Sequence, residues 1–285
     1  MQQSSLLTLF MPIAIGIIML GLGLSLTPND FKRVVNYPKA AFIGLFCQMI
    51  LLPFICFLIA SGFGMPPALA VGLMLLSAAP GGATANLYSH LSDGDVALNI
   101  TLTAVNSVLS LFTLPFIVNF ALSHFMEAGQ YVPMPFQKVI EVFAIVLIPV
   151  TIGMLIKAKS PSFALKMDKP VKIASALILF IVIVAAVIRE RNNIPAFIQQ
   201  AGLPVLVFNV VSMLSGYFIP LLFKVERRQA ISIGMEIGIH NATLAIFIAL
   251  SVLNNSATSI PPAIYGILMF FTAGVFGYLV SRQKI

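Results

Sequence analysis

Apolar stretches of about twenty residues recur along the chain, separated by short segments rich in proline, glycine and charge. Because a helix needs about 20 apolar residues to cross the hydrocarbon core of a bilayer, each stretch is long enough to span a membrane. Nine spans are predicted, at residues 6–27, 38–61, 66–91, 95–121, 136–157, 170–189, 203–223, 229–253 and 260–281. The sequence therefore predicts an all-α polytopic membrane protein whose main partner is the lipid bilayer.

The composition excludes an ordinary water-soluble domain. Hydrophobic residues make up 59% of the 285 residues and charged residues only 9%, whereas soluble domains carry about 25% charged residues. The net charge of +7 could indicate a nucleic-acid partner, but the basic residues lie in short loops between the apolar stretches. We therefore expect no nucleic-acid partner.

The distribution of Lys and Arg predicts the orientation of the chain in the membrane. Of the sixteen basic residues, thirteen fall on one side of the nine predicted spans, and only Lys138, Arg189 and Arg191 fall on the other. Because basic loops are retained in the cytoplasm, the N-terminus is expected outside and the C-terminus in the cytoplasm. We expect a multi-pass protein of the inner (plasma) membrane.

One acidic side chain, Glu236, is placed where a charge is costly. The other eight acidic residues lie in loops or near span ends, including Glu141 and Glu190, whereas Glu236 lies well inside the eighth span. A carboxylate at the centre of a membrane helix costs about 2.5–3.5 kcal/mol on insertion scales, and such residues usually mark a functional site. The functional interpretation is a cation or proton site; the structural alternative is a protonated, hydrogen-bonded Glu.

Two spans contain residues that interrupt helices. The third contains Pro80–Asn86, with a proline followed by two glycines, and the eighth contains Gly234, Gly238 and the polar residues around Glu236. Each is the middle member of a triplet, spans two to four and seven to nine, and the triplets start on opposite sides of the membrane. Paired interrupted spans in two halves indicate an inverted-repeat transporter with its site at the breaks.

Further polar residues could supply oxygen ligands to a small cation. Asn99, Thr103 and Asn106 share one face of the fourth span, and Gln48 lies in the second. The alternative for each is an ordinary interhelical hydrogen bond. An intramembrane enzyme using Glu236 and His240 as acid and base is a rival, but no nucleophile motif or zinc-ligand cluster accompanies them. We therefore expect a protein that is not an enzyme.

Four segments resemble the bile acid:sodium symporter family: Gly21–Phe31, Gln48–Pro53, Pro80–Asn86 and Glu236–Asn241. The resemblance covers nearly the whole chain in order. It implies two crossing broken helices within a core domain from about 38–121 and 203–282, and a panel domain from about 6–27 and 136–189. Related-fold arsenite or auxin-type carriers are expected to lack this combination of Glu236 and Asn241.

The resemblance also implies two sodium sites that share Glu236. The first would use Ala85, Asn86, Asn99, Thr103 and Glu236, and the second would use Gln48, Glu236, Ile237, Ile239 and His240. The family usually has Gln where this chain has His240, and an imidazole nitrogen is a poorer sodium ligand than an amide oxygen. We therefore expect one or two sodium ions, and a proton could replace the second.

The resemblance implies a small organic anion as substrate, bile-acid-like or pantoate-like, carried by alternating access. Ala83, Thr84 and Asn241 are the expected substrate contacts, because the half-helix that starts near Thr84 would direct backbone N–H groups at an anion. The alternatives are an uncoupled or proton-coupled organic anion carrier of the same fold. The sequence leaves the oligomeric state open, and a monomer is the expectation.

Overall fold

A computed structural model describes residues 5–127, 136–189 and 191–282 of the chain. Two residues used in the charge argument, Glu190 and Lys284, lie outside these ranges. The described residues form helices and no β-strand. The α-helices are α1 (Ser5–Ser25), α2 (Pro28–Lys32), α3 (Pro38–Phe46), α4 (Leu52–Gly62), α5 (Pro67–Ala78), α6 (Ala85–Leu91), α7 (Val96–Phe125), α8 (Phe136–Lys159), α9 (Pro161–Arg189), α10 (Ile194–Leu222), α11 (Arg227–Gly238), α12 (Ala242–Phe247) and α13 (Ile260–Arg282).

Short irregular helical turns join or extend several of these helices. A π-helical turn, Cys47–Leu51, joins α3 to α4, and a second, Ile248–Val252, extends α12. Single 3₁₀ turns cover Arg33–Val35 and Ala257–Ser259. Because π-turns in membrane and soluble helices often occur at functional sites, the turn that contains Gln48 is of particular interest.

The long helices have the length and apolarity that a membrane requires. Five described helices are long and apolar enough to cross a bilayer, at Pro38–Gly62, Val96–Phe125, Gln137–Lys159, Pro195–Leu222 and Ala257–Arg282. A sixth is reached if Pro12–Ser25 and Pro28–Val35, which meet at an angle of 71°, form one span. The chain is thus an integral multi-pass membrane protein. Each predicted span contains helix, but nine crossings and an inverted repeat remain predictions.

The surface of the protein is apolar in the way that a lipid environment favours. Large hydrophobic side chains that a soluble protein would bury are strongly exposed, among them Phe42, Phe116, Phe180 and Phe271. Phe116 is 77% exposed although it lies in the middle of a long helix. Such extended apolar exposure is unfavourable in water and favourable against acyl chains.

One group of helices is formed by α1, α8 and α9, with α1 packed along the other two. Glycines allow the closest approach between α1 and α8. A methyl group at Gly153 would lie 2.5 Å from the carbonyl oxygen of Leu20, and one at Gly23 would overlap the backbone of Val150. The other helices pack mainly on one another, with α10 on α11, α5 on α7, and α11 on α6 and α7. The division into core and panel domains stays a prediction.

Candidate cation site

The two interrupted helices meet at their interruptions. Helix α5 ends at Ala78 and α6 begins at Ala85, while α11 ends at Gly238 and α12 begins at Ala242. In the breaks, Gly81 and His240 form an antiparallel bridge. The N–H of Gly82 donates to the carbonyl of Ile239 at 2.6 Å, and the N–H of Asn241 donates to the carbonyl of Pro80 at 2.8 Å. Backbone groups freed by each break are therefore satisfied by the other, as a membrane interior demands.

Glu236 lies in the last turn of α11 beside this junction, and its side chain is completely buried. Two side chains from α7 hold its carboxylate. Thr103 Oγ1 donates to Oε2 at 2.6 Å, and Asn106 Nδ2 donates to Oε1 at 3.2 Å. Hydrogen bonds of this kind stabilise the charged form of the carboxylate and fix the direction of its oxygens.

Gly81 is the reason the carboxylate can reach the break. A methyl group at position 81 would lie 2.7 Å from Glu236 Oε2 and closer still to Oε1. The φ angle of Gly81 is not positive, so the backbone conformation itself would accept another residue. The glycine is required by the space that Glu236 occupies.

Among residues 5–127, 136–189 and 191–282, no Lys or Arg side chain forms a salt bridge with the carboxylate of Glu236. The salt bridges in these ranges include Arg33–Asp30 and Lys138–Glu141. Within the same ranges, no group of three or more His, Cys, Asp and Glu side chains could hold a metal ion. The site is therefore unlike a zinc or other transition-metal centre, which needs soft or nitrogen ligands.

Four buried amide oxygens around the junction lack a hydrogen-bond partner in the part of the chain that the structure describes: Gln48 Oε1, Asn86 Oδ1, Asn99 Oδ1 and Asn106 Oδ1. Three of these amides are anchored through their nitrogens, and the bond from Asn106 to Glu236 has been described above. Gln48 Nε2 donates to the carbonyl of Ala79 at 3.0 Å, and Asn99 Nδ2 donates to the carbonyl of Ser232 at 2.7 Å. Buried oxygens are normally paired. Anchored amides with free oxygens beside a carboxylate fit a hard cation such as Na⁺.

His240 lies in the same junction, and its ring is held on three sides. Its Nδ1 is 3.2 Å from the carbonyl oxygen of Ala79. Because a carbonyl can only accept, Nδ1 carries the hydrogen and Nε2 of the neutral ring presents a lone pair. Nε2 is buried and has no partner among the described residues. The rings of Phe208 and Tyr265 pack against the imidazole at centroid distances of 5.9 and 5.4 Å.

The predicted residues of the first sodium site differ in their burial and in the oxygen atoms that they can offer a cation. Thr103 contacts Glu236 directly, and Asn99 is fully buried one turn earlier on α7. Ala85 is buried at the start of α6, and Asn86 is half-buried next to it. Asn99 therefore has a side-chain oxygen in the interior, whereas Ala85 has only its backbone carbonyl to offer.

Two predicted residues of the second sodium site meet at the first break. Gln48 and His240 both contact the carbonyl of Ala79 through a nitrogen, so the structure brings these two side chains together. Ile237 and Ile239 are fully buried, and the carbonyl of Ile239 already accepts from Gly82. A carbonyl oxygen has a second lone pair, so this bond leaves it able to accept again.

The predicted substrate contacts differ in whether their side chains are free to contact a ligand. Ala83 and Thr84 are exposed, and the side chain of Thr84 makes no capping hydrogen bond to α6. Asn241 is half-buried, and its Oδ1 accepts from the N–H of Leu244 at 3.0 Å, so it caps α12. The oxygen of Asn241 is therefore engaged in the fold, whereas Thr84 is free to contact a ligand.

Comparison with known proteins identifies the family of this chain. The model of the sodium bile acid symporter family matches residues 12–197. The chain belongs to this family. The match confirms the predicted family, supports the prediction of a sodium-coupled transporter, and makes the protein a transporter and not an enzyme.

Individual relatives of this family are similar over most of the chain. A sodium-dependent transporter of Bacillus subtilis, YocS, is 27% identical over 93% of this chain and 79% of its own length. The ileal sodium/bile acid cotransporter of Oryctolagus cuniculus is 25% identical over 99% of this chain and 82% of its own length. A probable sodium/metabolite cotransporter, BASS2, of Oryza sativa is 25% identical over 90% of this chain, which spans only 60% of that relative.

The structure adds residues to this family member's site that the sequence did not single out. The carbonyl of Gly238, where α11 ends, accepts from Asn209 Nδ2 at 3.0 Å and from the hydroxyl of Tyr265 at 2.9 Å. Thr272 in turn donates its hydroxyl to Asn209 Oδ1. Asn209 is a polar residue inside the seventh predicted span, and this could have marked it as a site residue from the sequence. Nothing in the local sequence marks Tyr265.

Proposed function

We propose that this protein is a sodium-coupled symporter that carries a small organic anion by alternating access. The observation that carries the proposal is Glu236, a fully buried carboxylate without a basic partner among the described residues, surrounded by amide oxygens that have no partner there. Such a carboxylate is stabilised best by a bound cation. The sodium-dependent transporter YocS, whose sequence is similar over most of the chain, supports sodium as that cation.

The proposed first sodium ion is bound by Asn86, Thr103 and Glu236, with the carbonyl of Ala85 and the side chain of Asn99. The proposed second ion is bound by Gln48 and Glu236, with the carbonyls of Ile237 and Ile239 and with His240. All of these except His240 offer oxygen, the ligand atom that hard cations prefer. Binding of the first ion would hold α7 and α11 against the first break, and binding of the second would hold α11 and the turn that contains Gln48 against the second break, which links ion binding to the geometry of the junction.

The proposed substrate is an organic anion, bile-acid-like or pantoate-like, bound next to the junction. Thr84 supports this place because it is exposed and its hydroxyl is not used as a helix cap. Leu87 and Leu91 are exposed on the same half-helix and offer an apolar surface to the body of such an anion. The similarity to an ileal sodium/bile acid cotransporter supports an amphipathic anion as the first class to test.

The packing of the half-helices supports alternating access. Helices α1 and α9 pack against α12, whereas α6 packs against α7, α11 and α13 and leaves Leu87 and Leu91 exposed. In the proposed orientation, with the N-terminus outside and the C-terminus in the cytoplasm of an inner (plasma) membrane protein, α12 faces outward and α6 inward. This arrangement corresponds to a site closed to the outside and open to the cytoplasm. Movement of the core domain against the panel would reverse it.

Sodium binding and substrate uptake test the proposal together. Purified protein should melt at a higher temperature in NaCl than in KCl, and an organic anion should add to this shift only when sodium is present. Glu236→Gln should remove the sodium-specific shift and concentrative uptake in proteoliposomes. Glu141→Gln is the matched control, since Glu141 is an exposed carboxylate paired with Lys138. Concentrative, sodium-dependent uptake by Glu236→Gln would overturn the proposal.

A second candidate, a proton-coupled carrier of the same fold, is favoured by His240. The buried Nε2 lone pair of His240 has no partner among the described residues and could accept a proton. Uptake measured at pH 5.5–8.5 with a pH gradient and without sodium separates the two candidates. Accumulation driven by the pH gradient alone, and lost in His240→Gln, would favour the proton-coupled carrier. Uptake that needs sodium at every pH would exclude it.

A further inference from the structure

We propose that Asn106 is a direct oxygen ligand of the second cation site, beside Gln48 and Glu236. This assignment rests on the proposed sodium coupling. The polar face of the fourth span made Asn106 a candidate oxygen ligand, but the motif resemblance placed it in neither of the two sodium sites.

The orientation of the Asn106 amide points to this role. Its side chain is completely buried, and its Nδ2 donates to Glu236 Oε1 at 3.2 Å. Because the nitrogen is used, the oxygen lies on the other branch of the same planar amide. This Oδ1 is buried and has no hydrogen-bond partner among the described residues. A buried oxygen left in this way costs free energy unless a ligand pairs with it.

The two oxygens of Glu236 face different neighbours. Oε2 accepts from Thr103, which the first site uses, whereas Oε1 accepts from Asn106. Thr103 and Asn106 are three residues apart on α7, so they lie on one face at successive levels along the helix axis. Asn106 therefore belongs to the Oε1 side of the carboxylate, away from the residues proposed for the first ion.

The register of three helices places Gln48 at the level of Asn106. A methyl group at Gly44 on α3 would lie 3.1 Å from the side chain of Leu102 on α7 and 3.5 Å from that of Ile233 on α11. Further along, the ring of Phe57 on α4 lies 5.5 Å from that of Phe120 on α7. From the pair Gly44–Leu102 to the pair Phe57–Phe120 the residue numbers increase on both segments, so the segment α3–α4 runs parallel to α7.

The next level, one helical turn beyond Gly44, Leu102 and Ile233, contains Gln48, Asn106, Glu236 and Ile237. Helices α7 and α11 also run parallel, since Asn99 contacts Ser232 and Thr103 contacts Glu236, and Asn106, about one turn beyond Thr103, reaches the same carboxylate. Gln48 Oε1 is, like Asn106 Oδ1, buried and without a partner among the described residues. Gln48 and Asn106 therefore lie at one level of the helices, and each has a free amide oxygen.

The chemistry of position 240 explains why the second site would need an additional oxygen ligand. His240 offers the second site a nitrogen, which is a weaker partner for a hard cation than an amide oxygen. An oxygen from Asn106 supplies the hard ligand that the imidazole lacks. The second site can then hold sodium with His240 in place.

Equilibrium binding of ²²Na⁺ to purified protein in detergent tests the assignment without transport. The wild type should bind two ions. Asn106→Leu, which keeps the number and branching of the side-chain heavy atoms and has no oxygen, should bind one ion, with affinity for the other weakened about tenfold or more. Ser107→Ala is the matched control and should bind two ions, since the hydroxyl of Ser107 donates only to the backbone of Thr103.

A second variant separates an oxygen ligand from a mere donor to Glu236, and it decides the matter if Asn106→Leu does not fold. Asn106→Asp keeps an oxygen and loses the N–H donor, so it should still bind two ions. Loss of the second ion in Asn106→Asp, or two ions bound by Asn106→Leu with unchanged affinity, would overturn the assignment alone. A wild type that binds no sodium would overturn the proposed function with it.

Discussion

The contact between Gly81 and Glu236 makes a sharp prediction for the variant Gly81→Ala. The added methyl group would lie 2.7 Å from Oε2 of Glu236 and closer to Oε1, whereas a carbon and an oxygen in contact are normally more than 3 Å apart. The carboxylate is the far end of a flexible side chain, so it can move and the backbone can stay. The expected result is a folded protein with a displaced carboxylate.

The size of the effect follows from the hydrogen bond that the displacement breaks. Thr103 Oγ1 is 2.6 Å from Oε2, so a shift of about 1 Å takes the pair beyond the usual O–H···O range. A hydrogen bond to a charged group contributes about 1.5–3 kcal/mol, which corresponds to about a tenfold to hundredfold loss of affinity. Overpacking typically adds a loss of stability of about 1–3 kcal/mol.

Sodium titration of the purified variants, followed by the melting temperature, measures this loss. Gly81→Ala should need about tenfold or more sodium for half of its stabilisation, with a small change of melting temperature in KCl. Gly274→Ala is the control, because its methyl group would meet no atom within 4 Å. Equal sodium dependence in Gly81→Ala and the wild type would refute the steric reasoning.

Three further predictions concern residues near the junction or within the first group of helices. His240→Gln should strengthen sodium binding at the second site, measured as tighter ²²Na⁺ binding, because an amide oxygen replaces a nitrogen. Tyr265→Phe should weaken sodium binding at unchanged substrate KM under saturating sodium, since one of the two donors to the carbonyl of Gly238 is lost. Gly23→Ala should lower the melting temperature with and without sodium, because its methyl group would overlap the backbone of Val150.

Controls for these predictions come from the same helices. Tyr278→Phe removes an exposed hydroxyl from the helix that carries Tyr265 and should leave sodium binding unchanged. Gly16→Ala lies on the helix of Gly23, and its methyl group would make only an ordinary contact at 3.9 Å with Pro149. Weaker sodium binding in His240→Gln, or a loss in Tyr278→Phe equal to that in Tyr265→Phe, would contradict the respective argument.

The location of the candidate site could be predicted from the sequence because the residues that mark it are energetically unfavourable in a membrane. A carboxylate deep in an apolar stretch and a proline with two glycines both conflict with a lipid-facing helix. Glu236 and the break at Pro80 were therefore visible without a structure. Thr103 and Asn106 could be placed on one helical face, since helical spacing is a local property.

What the sequence could not provide depends on contacts between distant segments. The fit of Gly81 against Glu236 joins residues that are far apart in the chain, and no local pattern contains it. The direction of the Asn106 amide likewise depends on Glu236, and the engagement of Asn241 as a helix cap depends on where α12 begins. Spacing indicated which residues share a face but not which of their atoms are free.

Helix interruption and cation binding in this fold have one physical origin. A continuous helix would pair its own carbonyls and leave no room for a carboxylate between segments, whereas the breaks expose carbonyls and allow Glu236 to lie against Gly81. Gln48, one of the amides proposed to complete the site, is fixed through its nitrogen to the carbonyl of Ala79, which is itself in a break. A change that moves either break must therefore move the ligands. In the proposed site, these shared backbone groups would couple cation binding to the relative position of the half-helices.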